Sequence, residues 1–154
     1  MENTLSVAKM FNNLYRTENG INMDQMRMHK MMYLVQRESL MYDKVPLFDA
    51  QFQGWKFGPV LVEVRNEYNT NNMFQSAPAT PSKRAQELVK SVYLRYNRLS
   101  SWQLSTLSHG EFSWKHSREG LDTDANGSVS LKLADMRLDA MRELLRRKSS
   151  PAVG

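Results

Sequence analysis

Cysteine is absent from the chain, which excludes disulfides, thiolate nucleophiles and Cys-based zinc sites. No apolar run approaches the roughly 20 residues of a membrane span. The first residues, Met1-Glu2-Asn3-Thr4, carry neither the basic start nor the apolar stretch of a signal peptide. A cytosolic protein is the expectation. Nucleophile elbow, phosphate loop and dinucleotide fingerprint are all missing, as are internal repeats and low-complexity segments. No catalytic set and no cofactor site is legible, so the expectation is a non-enzyme.

What remains is ordinary in size and unusual in methionine. The 154 residues amount to one domain with enough chain for a real core. Of the eleven methionines, six fall between Met23 and Met41. Methionine fills irregular gaps and also adapts to varied partners. The net charge is +5, which suits either nucleic acid or an acidic protein partner.

Periodicity divides the chain into about six helices. Thr4 or Ser6 is placed to cap the first, which carries Val7, Met10, Phe11, Leu14 and Tyr15 on one face and stops at Asn19-Gly20. Asp24 caps a second, on which Met28, Met31, Met32 and Val35 share a face while Met26, Tyr33, Leu34 and Leu40 cover the others; such a helix is enclosed. Leu47 to Phe57 reads as extended. Pro59 then opens a third helix to about Tyr68. Asn69 to Pro81 is a long loop of the kind that is mobile or functional. Ser82 caps a fourth helix with Ala85, Leu88, Val89, Val92, Tyr93 and Tyr96 inside, and Ser100 or Ser101 a fifth with Leu99 as its staple. A helical turn follows around Phe112, Trp114 and Lys115. Val129, Leu131 and Leu133 alternate with polar residues as a short strand whose partner is Gln51 to Phe57. A last helix from Ala134 carries Met136, Leu138, Met141, Leu144 and Leu145 and ends in Arg146-Arg147-Lys148, cations that suit its C-terminus. The expectation is a mainly α domain over 1–148 with a small two-stranded β element, and a tail at 149–154.

Several constellations invite a chemical reading. Asp122, Asp124 and Asn126 with Gly127 match the front of a calcium loop, but Leu133 stands where the bidentate Glu belongs, so a polar turn is the simpler reading. His109-Gly110-Glu111 has the His-x-Glu shape of zinc deaminases without the cysteines they need. His29 has no carboxylate at metal-ligand spacing. Lys83-Arg84 and Arg146-Arg147-Lys148 lack interleaved aromatics and read as solvated faces rather than a nucleic-acid platform.

The stretch Phe52 to Val60 concentrates aromatics around a Gly-Pro corner. It is either a structural corner that closes the core or one that also presents a surface. Trp55-Lys56-Phe57-Gly58-Pro59-Val60, followed by Arg65-Asn66-Glu67-Tyr68, resembles the W-[KR]-[YF]-G-P-V hallmark of the Panacea domain, the SocA-like antitoxin family with GepA-type phage-associated members. Three further segments agree in order: Met28 to Gln36 resembles L-x-K-L-[LM]-Y-[FL]-[AV]-Q, Leu99 to His109 resembles L-S-x-W-x-L-x-x-L-[TS]-H, and Trp114-Lys115-x-x-Arg118 resembles W-x-x-[AS]-R. Pro46-Leu47-Phe48 fits the family's [KR]-P-L-F, with Val45 in place of the basic residue; Ser113 stands where proline is common.

The resemblance implies an antitoxin that neutralises a toxin encoded by an adjacent gene through direct binding, with delivery of the toxin to a protease as a further role of one member. It also implies partner contacts at Trp55, Lys56, Phe57, Gly58, Pro59, Val60, His109, Trp114 and Lys115, or on the exposed side of the Met-rich helix. The alternatives are a phage module that binds a host protein and a small basic nucleic-acid-binding regulator. Trp55 and Trp114 are expected to be largely buried.

Overall fold

The computed structural model describes residues 1–78 and 80–149. Among these lie seven helices and a two-stranded sheet: α1 (Thr4–Asn19), α2 (Gln25–Tyr42), β1 (Gln53–Trp55), β2 (Gly58–Val60), α3 (Val62–Asn69), α4 (Lys83–Tyr96), α5 (Ser101–His109), α6 (Phe112–Ser117) and α7 (Leu133–Ser149). The protein is mainly α, as its periodicity predicts. Of the expected tail, Ser149 ends α7 and 150–154 lie outside the described residues.

The axis of the fold is α2. Every residue from Met28 to Met41 is buried, and α1, α3, α4, α5, α7 and β2 all pack against it. Asp24 caps it by accepting from the Arg27 N–H. The methionines of this helix therefore fill the core; only Met26 in its first turn is partly open, so the exposed side of the helix presents one methionine. Gln36 fixes the approach to the sheet: its side chain accepts from Leu47 N at 2.7 Å and donates to Phe48 O at 2.9 Å.

Other caps follow the sequence with one change. Asn3, not Thr4 or Ser6, caps α1, because its Oδ1 takes the Ser6 N–H at 2.9 Å. Ser82 caps α4, whose six expected core residues are all buried. Ser100 and Gln103 form a full capping box on α5. The loop after α3 is anchored rather than loose in its first half. Phe74 is fully buried there, and Glu67 accepts from Phe74 N at 2.7 Å.

Two elements differ from expectation. Gly58-Pro59-Val60 is not the start of a helix but the second strand of a hairpin, paired antiparallel with Gln53, Gly54 and Trp55. Gly58 makes this possible: its φ of 121° is a conformation that L side chains resist. Helix α3 begins after the hairpin, at Val62. The segment expected as the partner strand does dock on β1, through Gly54 N to Val129 O at 2.9 Å and Leu131 N to Phe52 O at 2.8 Å, but it forms one isolated bridge, Gln53 to Ser130. Only Leu131 of its alternating apolar set is buried.

The second difference is the rotation of α7. Met136 and Ala140 face inward, but so do Asp135, Asp139 and Glu143, while Leu138, Met141 and Leu145 are exposed. The acids are drawn inward by partners on α2 and α6. Asp139 accepts from Phe112 N at 2.8 Å and Ser113 N at 2.9 Å. Tyr33 Oη lies 3.1 Å from Asp139 and 3.0 Å from Glu111. Arg37 donates to Glu111 at 2.8 Å and to the Tyr96 hydroxyl at 2.9 Å. Arg147 is not a solvated cation: it donates to Glu38 at 2.8 Å and to Glu143 at 2.9 Å. Around Glu143, burial would raise the carboxyl pKa, but hydrogen bonds from Arg146 and Arg147 and the charge of Arg37 outweigh it and hold the group at about 2.

A clamped hairpin beside a cleft

The hairpin that carries the Trp-Lys-Phe-Gly-Pro-Val motif is held by its carbonyls. Arg118 donates to Gly54 O at 2.9 Å, Trp114 Nε1 to Trp55 O at 2.7 Å, and Ser105 Oγ to Phe57 O at 2.9 Å; Lys30 Nζ also donates to Phe57 O. Thus α2, α5 and α6 each contribute a donor, and Arg118, at the end of α6, adds a fourth. The segments that carry the other motifs thus supply the groups that secure this one. Two glycines let α6 and Lys30 approach the hairpin. A Cβ on Gly54 would lie 2.0 Å from Ser117 Oγ, and one on Gly58 would lie 2.2 Å from Lys30 Nζ.

Next to the hairpin opens a cleft of about 640 Å³, lined by Gln25, Met26, His29 and Lys30 of α2, Trp55, Lys56, Phe57 and Val60 of the hairpin region, and 126–128. Its wall is largely apolar. His29 sits behind it, with Nδ1 accepting from Leu61 N at 3.3 Å. Burial first, then the charges of Lys30 and Arg65, push the His29 imidazole down to about 3, so it is neutral and acts as an acceptor. Burial also lowers the Lys30 ammonium to about 8.

The structure gathers most of the residues singled out in the sequence. Gly58, Pro59 and Val60 are buried, and Lys56 is partly exposed over the Phe57 ring at 5.0 Å. His109 stacks on Trp114 with ring centroids 4.3 Å apart. Lys115 is exposed and does not line the cleft. Trp55 and Trp114, expected to be largely buried, are partly buried, Trp114 packing against the core, whereas Phe57 is 49 % exposed. The hairpin sits at the surface, so its rings cover the polypeptide on one side only. Arg65 stacks on Trp55 at 5.1 Å and Arg118 on Trp114 at 5.3 Å.

Lys30, Ser105 and Arg118 escaped selection as site residues. Lys30 carried a usable signal, a single cation inside a run of apolar residues that the pattern already encloses. Arg118 carried none, because its partners come from distant segments. Its guanidinium also donates to the carbonyls of Asp122 at 3.2 Å and Ala125 at 2.6 Å, turning the supposed calcium loop toward a protein cation. No cluster of three or more metal-ligating side chains occurs among the described residues.

Ser105 Oγ lies 3.5 Å from His109 Nε2, the one approach here to a nucleophile and base. The hydroxyl proton is directed to Phe57 O, so the histidine has none to take. Burial, with the charge of Lys30 next, keeps His109 below the ordinary imidazole range. The Glu111 carboxylate is engaged by Arg37 and Tyr33. The arrangement is a rigid surface hairpin beside an apolar cleft, a geometry for binding.

A family profile described as "Antitoxin SocA-like, Panacea domain" matches residues 28–115, more than half of the chain. The chain belongs to the SocA-like, Panacea-domain antitoxin family. Membership supports an antitoxin-type function, a regulatory rather than enzymatic role and a toxin as the class of partner. No curated protein and no solved structure matches the chain. No helix among the described residues is long and apolar enough to cross a membrane.

Proposed function

We propose that this chain is an antitoxin that silences a cognate toxin by direct, stoichiometric binding, with residues 1–148 as the working unit. The observation that carries the reading is the hairpin itself. Four donors fix its backbone, while Phe57 remains half exposed at the edge of the cleft. A rigid, partly exposed aromatic beside a pocket is the usual centre of a protein interface, because little freedom is lost when it is covered. Lys56 stands at the rim, where charge steers association more than it holds the complex.

Delivery of the bound toxin to a protease is a second reading, and one observation favours it. Such a role needs another face, and the exposed Leu138, Met141 and Leu145 on α7 form an apolar stripe that does not line the cleft.

The test is co-expression with the product of the adjacent gene. That product alone should halt growth; this chain should restore growth and co-purify with it in fixed ratio. Phe57→Ala should weaken rescue while leaving the fold intact. A harmless neighbour, or rescue at strongly substoichiometric levels without co-purification, would overturn the reading.

A further inference from the structure

Lys30 is 2 % exposed and lines the cleft. An ammonium has three donors, yet its hydrogen-bonding partner among the described residues is one neutral carbonyl, that of Phe57. No carboxylate among those residues lies within ion-pair distance of it. A buried cation without a counter-ion is costly, and a methionine of similar length would fill the same space among the methionines of α2 without that cost. The backbone instead makes room for the charge: Gly58 omits the side chain that would collide with Nζ.

The surroundings favour an anion as well. No Asp or Glu lines the cleft, a second cation, Lys56, does, and Met26, Trp55, Phe57 and Val60 give it an apolar wall. A group with one negative charge on an apolar body matches both features.

We propose that this cleft is a carboxylate-binding site, in which Lys30 receives an acidic side chain of the protein partner while the apolar wall covers its flanking residues. The site deepens the binding reading above, and its carboxylate is the partner's to supply.

The test begins with the free chain. Its binding of 3-phenylpropionate and of 3-phenylpropanamide is followed by tryptophan fluorescence and by NMR of the Lys30 side chain. The acid should bind saturably and roughly tenfold or more tighter than the amide, the factor a charge-assisted hydrogen bond supplies. Lys30→Met should melt no lower than the natural chain and bind the acid only as well as the amide. Equal binding of acid and amide, no saturation by the acid, or an unchanged preference in K30M would overturn the site. Once the partner is in hand, saturating 3-phenylpropionate should displace it from the natural chain. Displacement supports the assignment, and binding of the acid without displacement overturns the partner as the source of the carboxylate. Failure of growth rescue would leave the acid-over-amide preference standing, so the two readings fail separately.

Discussion

Helix α2 buries two cations in opposite company. Arg37 is 2 % exposed and answered by Glu111 at 2.8 Å, by the Tyr96 hydroxyl and, at 3.9 Å, by Glu143. Lys30, about two turns earlier on the same helix and equally buried, has a carbonyl. The first is a charge network whose counter-charges lie inside the fold, although Arg37 Nε is left without a hydrogen-bond partner. The second belongs to a residue that lines the cleft and has no counter-charge among the described residues. Structural demand explains the first alone: α7 turns its acids inward to complete it, at the expense of exposing Leu138, Met141 and Leu145. No comparable demand is visible at Lys30, which points to a partner rather than to the core.

The contrast breaks most severely at the closed end. Arg37→Ala leaves Glu111 buried with only the exposed Arg142, at 3.5 Å, as its cation and should cost about 3–5 kcal/mol, the range for half of a buried pair. Urea unfolding would measure it, and a loss below about 1 kcal/mol would show the network to be solvated. At the open end the sign reverses. Lys30→Met should stabilise the free chain by about 2 kcal/mol at pH 7, from a lowered pKa offset by one lost hydrogen bond. The pH dependence follows from the lysine's ordinary value of 10.5 and its folded value of about 8. Between these the unfolded chain binds more protons, so the natural chain gains stability as pH rises. The advantage of K30M should therefore be full below pH 8 and fade toward pH 10.5. A mutant less stable at pH 7, or an advantage independent of pH, would remove the contrast.

Trp55→Ala, at the half-buried hairpin, should cost about 1–2 kcal/mol, less than the roughly 3–5 kcal/mol of a core aromatic. Thermal melting would check it. The smallest effect concerns the loop at 122–127. Its carbonyls face Arg118, so millimolar calcium should leave the melting temperature unchanged, and a clear rise abolished by Asp122→Ala would contradict this.

Much of this architecture was legible in the sequence because it rests on local rules. Caps at Asp24, Ser82 and Ser100, the buried face of α4 and the enclosure of α2 all follow from spacing and side-chain chemistry. The motifs likewise drew attention to the stretch that forms the hairpin, where the contact is proposed. What escaped was set by distant partners. Pro59 is as acceptable in a short edge strand as at the first turn of a helix, and the choice depends on donors from α2, α5 and α6 that fix the preceding carbonyls. The apolar stripe of α7 predicts one rotation of that helix, but Asp139 and Glu143 find buried donors that outweigh it. Hydrophobic periodicity does not register such pairs, because acidic residues count as exposed until their partners are known.

On the proposal made above, Lys30 is a cation held ready for a carboxylate from outside the chain. Titration of the Lys30 side chain by NMR, with the protein free and then saturated with 3-phenylpropionate, tests it most directly. The expected result is a pKa of about 8 in the free protein and a clear rise when the acid is bound, since a carboxylate favours the charged form. A value near the ordinary 10.5 in the free protein, or no movement on saturation, would contradict it.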